Sequence, residues 1–190
     1  MKNWDGLIPA LTADKGDVIV GRFTVTEARK KLIDFTVEVF PTRNVVFTRK
    51  PHKAVETLEA LRQERVGTIK GSSMAEALDA AGVPRSSIDD SIPAGGLEEA
   101  LVRGKISAAV LGIESAIAAR RDDPEIELGL FLGRPGSLAY GVRHDEPELQ
   151  KALNAYIENV RKTQTWSRLV VKYFGAAAPE ILRKARGEGP

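Results

Sequence analysis

The sequence predicts an α/β protein of two lobes, the second inserted into the first. Three observations carry this. Between residues 45 and 138, short apolar runs alternate with helical patterns, as in a parallel-rich sheet with helices on both faces. Two extended segments, Asn44–Thr48 and Ser137–Val142, frame that block and would connect it to the rest. What lies outside, residues 1–44 and 139–190, forms one discontinuous lobe around the insert.

The elements follow in order. Leu7, Ile8 and Leu11 recur at helical spacing within Asp5–Thr12, and Gly16 precedes a strand at Val18-Ile19-Val20. After Phe35 the stretch TVEVFPTR reads as irregular, broken by Pro41, and Asn44–Arg49 as a strand closed by Pro51. Inside the insert come a helix over Thr57–Glu64, a strand over Arg65–Lys70 and a helix over Met74–Ala81, with Ser73 and Glu76 as its capping box. Weaker strand character spans Ser86–Ile92, a helix Leu97–Arg103, a buried strand Ser107–Ile113 and a helix Glu114–Arg121. Glu127–Leu132 is a last strand, ended by Gly133, Pro135 and Gly136. Beyond it, Asp145 is expected to cap a long helix with Pro147 in its first turn. Leu149, Leu153, Tyr156, Ile157 and Val160 give that helix an apolar stripe that reads as core. Trp166–Phe174 is a further helix, and Pro179–Arg186 a polar tail expected to fray.

Composition narrows the function. A net charge of +2 and only short basic clusters, Arg29-Lys30-Lys31 and Arg120-Arg121, give no nucleic-acid footprint. Without cysteine there is no disulfide framework, thiolate nucleophile or thiolate metal site. His52 and His144 are too few and too isolated for a metal cluster. No cofactor is expected, no apolar run approaches the roughly 20 residues of a membrane span, and Met1-Lys2-Asn3-Trp4 does not open a signal peptide.

Chemistry concentrates around Asp17–Phe35. Thr24 and Thr26 lie two residues apart on extended backbone, which points both hydroxyls to one side. Thr26 suits the N-cap of a short helix carrying Arg29. Hydroxyls, helix N–H groups and a guanidinium converging on one spot are what an anionic head group needs. The same residues also fit an ordinary strand–turn–helix with a solvated Arg29. A second anion site is expected at Gly71-Ser72-Ser73, which joins a strand to a helix N-terminus. Ser73 can cap its helix there while the N–H groups serve a ligand.

GRFTVTEARKKLIDFT resembles the signature of the bacterial extracellular solute-binding proteins, family 3, through Gly21, Thr24, Thr26, Arg29, Lys30-Lys31 and Asp34-Phe35. Further stretches match in the family's order: Leu11–Val20, Val66–Leu78, Leu138–Val160 and Trp166–Gly175. The resemblance implies a type II periplasmic-binding-protein fold, a ligand held between lobes, an extracytoplasmic location and a membrane permease of an ABC importer as partner. It implies that Arg29 pairs with a ligand carboxylate, with Thr24 nearby; no catalysis is expected, since His52 and His144 fall in connecting segments and no carboxylate is clearly poised. It also implies a strand–helix–strand unit ahead of Trp4, so the first lobe is expected to be incomplete and prone to self-association.

Two departures bear on the ligand. Where the family usually carries an Asp for the ligand's ammonium, this chain has Gly112, with Glu114 two residues on as a substitute or a mere first-turn acid. Arg22 stands where many relatives have a small residue, and would line the cleft or turn to solvent. The expected ligand is therefore a small carboxylate-bearing solute, an amino acid or related, depending less than usual on an α-amino group. The chain is also similar to the receptor-like domain of membrane-bound lytic transglycosylases, which makes a detached sensing domain the first alternative. A dehydratase-type cleft enzyme is the second.

Overall fold

The computed structural model describes residues 6–21, 23–93 and 95–187. The chain divides into two compact units, residues 1–42 with 135–190, and residues 43–134.

In the first unit the middle strand comes from the second chain segment. Strand β7 (Gly141–Val142) runs antiparallel to β1 (Asp34–Phe35), with Phe35 opposite Gly141. On its other side Gly141 exchanges both backbone hydrogen bonds with Ile19, at 2.8 and 3.1 Å. The strand expected at Val18–Val20 thus shrinks to one bridge. A second bridge joins Thr24 to Leu138. Gly21, beyond the first bridge, has a φ of 147° that suits glycine. Helix α1 (Leu7–Thr12) lays Leu11 on Ile19, Phe23 and Ile33, with Leu7, Ile8 and Phe35 around them. Helix α2 (Glu27–Lys30) is a single turn.

Helices α7 (Pro147–Lys162), α8 (Gln164–Phe174) and α9 (Ala178–Ala185) complete this unit. The expected cap Asp145 is displaced: Glu146 takes the N-cap position without a side-chain bond, and Asp145 turns towards Arg143. The tail expected to fray is α9, because Ala178, Leu182 and Ala185 fall on one face and are buried. Glu38 holds these helices down. Its carboxylate accepts from Arg186 at 2.7 Å, Arg161 at 3.3 Å and the Ser137 hydroxyl at 2.6 Å. Arg143, whose side chain is 14% exposed, meets Asp14 at 3.0 Å, Asp17 at 3.3 Å and Glu146 at 2.9 Å, and donates to the Gly16 carbonyl. The hydrogen-bonded carboxylates of Glu146 and then Asp17, with the charge of Asp14, raise its pKa above the ordinary arginine value. Arg143→Met keeps the length of the stem and strands these acceptors, so a lowered melting temperature is expected in calorimetry.

The second unit is built on a five-stranded mixed sheet of order β4-β3-β5-β2-β6. Its strands are β2 (Phe40–Arg49), β3 (Val66–Gly67), β4 (Ile88–Asp89), β5 (Ala108–Gly112) and β6 (Ile126–Leu138). β3 is parallel to β4 and β5, whereas β2 is antiparallel to β5 with Asn44 opposite Gly112. Helices α3 (Leu58–Leu61), α4 (Ser73–Ala80), α5 (Leu97–Val102) and α6 (Ile113–Asp122) follow the strands; the last three match the pattern to within a residue at each end, whereas α3 has half its expected length. Two strands exceed expectation. β2 starts at Phe40, which stacks on Trp166 and Phe174 at 5.6 and 5.2 Å, so Pro41 lies inside it, ahead of the positions paired with β5. β6 runs on through Gly133, Pro135 and Gly136 because it is an edge strand, where a missing N–H is tolerated.

Alternation divides the core. Val46, Ala108, Val110 and Val66 face Leu61, Leu78 and Val83, while Phe47, Ala109 and Leu111 face Leu97, Ala100, Leu101 and Ala119. Thr68 ends the Val66 face, fully buried, and among the described residues its hydroxyl has no hydrogen-bond partner. Since an unpaired buried hydroxyl is unfavourable, Thr68→Val is expected to raise stability by about 1 kcal/mol in denaturant titration. Acid has the opposite effect on this unit. Hydrogen bonds from Arg49 hold Asp123 below the usual carboxylate range, and those from Ser91 and Lys105 do the same for Asp89. Their stabilisation is complete above the unfolded carboxylate pKa of about 4 and is lost as pH falls through the lower folded values. Asp123→Asn should flatten the acid limb of a stability–pH curve.

Candidate functional site

In the first unit the site is organised on Phe23. This ring is buried and stacks on Phe35 at 6.0 Å, and the Arg29 guanidinium lies 4.2 Å above its centroid. Arg29 Nη1 donates to the Thr24 carbonyl at 2.7 Å. A flat cation on an aromatic face, tied to backbone, loses little freedom on binding an anion. Thr26 has extended backbone and its Oγ accepts from the Arg29 N–H at 3.3 Å, so it caps α2 and places Arg29 rather than aiming its oxygen at a ligand. Thr24 sits in the bridge to Leu138. Arg22 lies outside the described residues.

In the second unit two helix N-termini meet the same end of the sheet. β3 and β5 are parallel neighbours, and the chain leaves their carboxyl ends into α4 and α6 respectively. Ligands of open α/β sheets bind at that end. Gly71 adopts φ 69°, which lets the chain turn from strand to helix. The expected capping box at Ser73 shifts by one: Ser72 is the N-cap, its Oγ accepting from Ala75 N–H at 3.3 Å while donating to the Ile69 carbonyl. Ser73 opens the helix, its hydroxyl 3.6 Å from Met74 Sδ. The shift follows from backbone geometry, since extended Ser72 (φ −100°, ψ 161°) is the last non-helical residue. Asn44 joins the two halves. It stands opposite Gly112 in the ladder and its Nδ2 donates to the Ser73 carbonyl at 3.1 Å.

Gly112 itself offers no side chain because Glu114 uses the space. A Cβ on Gly112 would lie 2.5 and 2.6 Å from the two carboxylate oxygens of Glu114, which is only 6% exposed. The acid that stood second in the sequence reading therefore presents its carboxylate against the Gly112 backbone, at the start of α6. Sequence reasoning missed Asn44 and Phe23. A lone amide in the apolar run of a strand was the available signal for Asn44, and an aromatic between Gly21 and Thr24 the one for Phe23. Of the histidines, His52 pairs with Glu64 at 2.9 Å and His144 with Asp34 at 3.0 Å. Among the described residues no cluster of three or more His, Asp or Glu could hold a metal, and no helix is long and apolar enough to cross a membrane.

Mixed sheet, helix N-termini at its carboxyl edge and a chain that leaves one unit and returns to it define the class: a type II periplasmic-binding-protein fold. Within that class, the chain belongs to the bacterial extracellular solute-binding proteins, family 3, whose pattern matches residues 1–176. An ancestral arginine-binding protein solved with glutamine superposes with a TM-score of 0.76 and 28% identity, over 92% of this chain and 78% of that one. The histidine-binding periplasmic protein of Escherichia coli K12 is 26% identical over 90% of this chain and 69% of its own length. Membrane-bound lytic murein transglycosylase F of Desulfosudis oleivorans is 24% identical over 91% of this chain, which spans only 39% of that protein.

Proposed function

We propose that this chain binds an amino acid or a closely related carboxylate outside the cytoplasm and delivers it to the membrane permease of an ABC importer. The observation that carries the proposal is the anchored cation of the first unit, beside which the second unit, taken by itself, supplies an anchored acid. Arg29 is laid on Phe23 and tied to Thr24, as a receptor for the ligand carboxylate. Glu114 is buried against Gly112, as a receptor for an ammonium. Within the second unit the first turn of α4, with Gly71, Ser72 and Ser73, offers backbone donors to an anion. The relatives named for histidine and arginine binding support an amino-acid ligand. Because Glu114 brings a carboxylate to Gly112, the α-amino group should contribute to binding, against the expectation from Gly112 alone. The reading contains no catalytic step.

The likeness to the lytic transglycosylase supports a second reading, a ligand-sensing domain of a cell-wall enzyme. A thermal-shift screen with amino acids, dicarboxylates and muropeptides separates the two, since a ligand that binds only the folded state raises the midpoint. Shifts with amino acids alone support import, and shifts with muropeptides alone support sensing.

A further inference from the structure

We infer that Asn44 is a positioning residue: it holds the first turn of α4, and with it the donors that turn offers to an anion. The inference rests on the reading of that turn as an anion receptor and names what keeps it in place. Asn44 precedes the apolar run Val45-Val46-Phe47 in β2, at a strand position where a β-branched residue is favoured and asparagine is not. An amide there disfavours the strand, and its contacts show what it does instead.

Val46 and Val110 pack with Leu78 of α4, and alternation along β2 and β5 puts Asn44 and Gly112 on that same face. Asn44 Nδ2 donates to the Ser73 carbonyl at 3.1 Å. Ser73 is the first residue of α4, so this bond ties the helix start to β2. The Ser72 cap on the Ala75 N–H then acts on a turn that is already anchored. Residues directly opposite in an antiparallel ladder are side-chain neighbours, and the Glu114 carboxylate fills the place a Gly112 side chain would take. Position 44 therefore needs an amide and not an acid. A carboxylate would set lone pairs against the Ser73 carbonyl and a second negative charge on the face that holds Glu114. An aliphatic side chain would suit the strand but release the turn, so an anion binding there would have to order it.

Three variants of the full chain test this: Asn44→Val, Asn44→Gln and Asn44→Asp. In the free protein, the Ala75 and Glu76 amides should exchange about tenfold faster in Asn44→Val, the most that one such hydrogen bond carries. The melting temperature should hold, because the gain in strand preference offsets the lost bond. Asn44→Gln keeps the donor on a longer stem and should recover part of the protection. In calorimetric titration with histidine and arginine and their deaminated analogues, Asn44→Val should weaken all four about tenfold without changing the ratio between the two classes, and Asn44→Asp should weaken them further. Strand preference alone would rank valine above glutamine, the reverse order. Exchange that Asn44→Val leaves unchanged overturns the inference. So does faster exchange with unaltered affinity, since the tether would then serve the fold alone. A parent that binds none of the four, with exchange as expected, overturns the receptor reading and upholds Asn44 as the tether of α4.

Discussion

Arg29→Ala is expected to weaken binding of the best amino-acid ligand by about 2–5 kcal/mol, the loss when a desolvated anion is stripped of its cation. Arg29→Lys should recover only part of it. An ammonium cannot lie flat on Phe23, donate to the Thr24 carbonyl and still offer a two-pronged face to a carboxylate. Calorimetric titration of both variants, with circular dichroism to check folding, measures this. If Arg29→Ala binds as tightly as the parent, the guanidinium only braces the Phe23–Thr24 turn and the site assignment fails.

Glu114→Gln should lower affinity for amino acids by about 2–4 kcal/mol while leaving deaminated analogues nearly unaffected, because only the ammonium loses its charged partner. The ratio between the two ligand classes is the diagnostic quantity, since general damage to α6 would lower both. Gly112→Asp, which restores the family's usual acid, should not help here. Its Cβ would lie 2.5 Å from the Glu114 carboxylate and would bring two like charges together. Reduced affinity and reduced stability are expected from that variant. An amino-acid affinity that rises with Gly112→Asp would mean that Glu114 moves aside easily and is not the ammonium receptor.

Much of the second unit was legible because its strands and helices obey short-range rules. The buried run Ser107–Ile113 and the turn at Gly71 announce β5 and the start of α4 from residue type and spacing alone. Strand limits were not legible. β2 and β6 outrun their sequence patterns through Pro41 and Pro135, since what stops a strand is the lack of a neighbour to pair with. The opposite error occurred at Val18–Val20, where one bridge forms at Ile19 although the residues favour a strand. Nor could local pattern show α9 as docked, because a sparse stripe of Ala178, Leu182 and Ala185 becomes core only against the rest of its unit.

The sequence by itself determined the family and the α/β class, because these rest on residue types at fixed spacing. Only the tertiary structure decided what lies against Gly112. Two residues apart in sequence, Gly112 and Glu114 read as a missing acid and a first-turn acid. Folding puts the Glu114 carboxylate onto the surface that glycine leaves bare, and only side-chain direction in three dimensions distinguishes an absent charge from a relocated one.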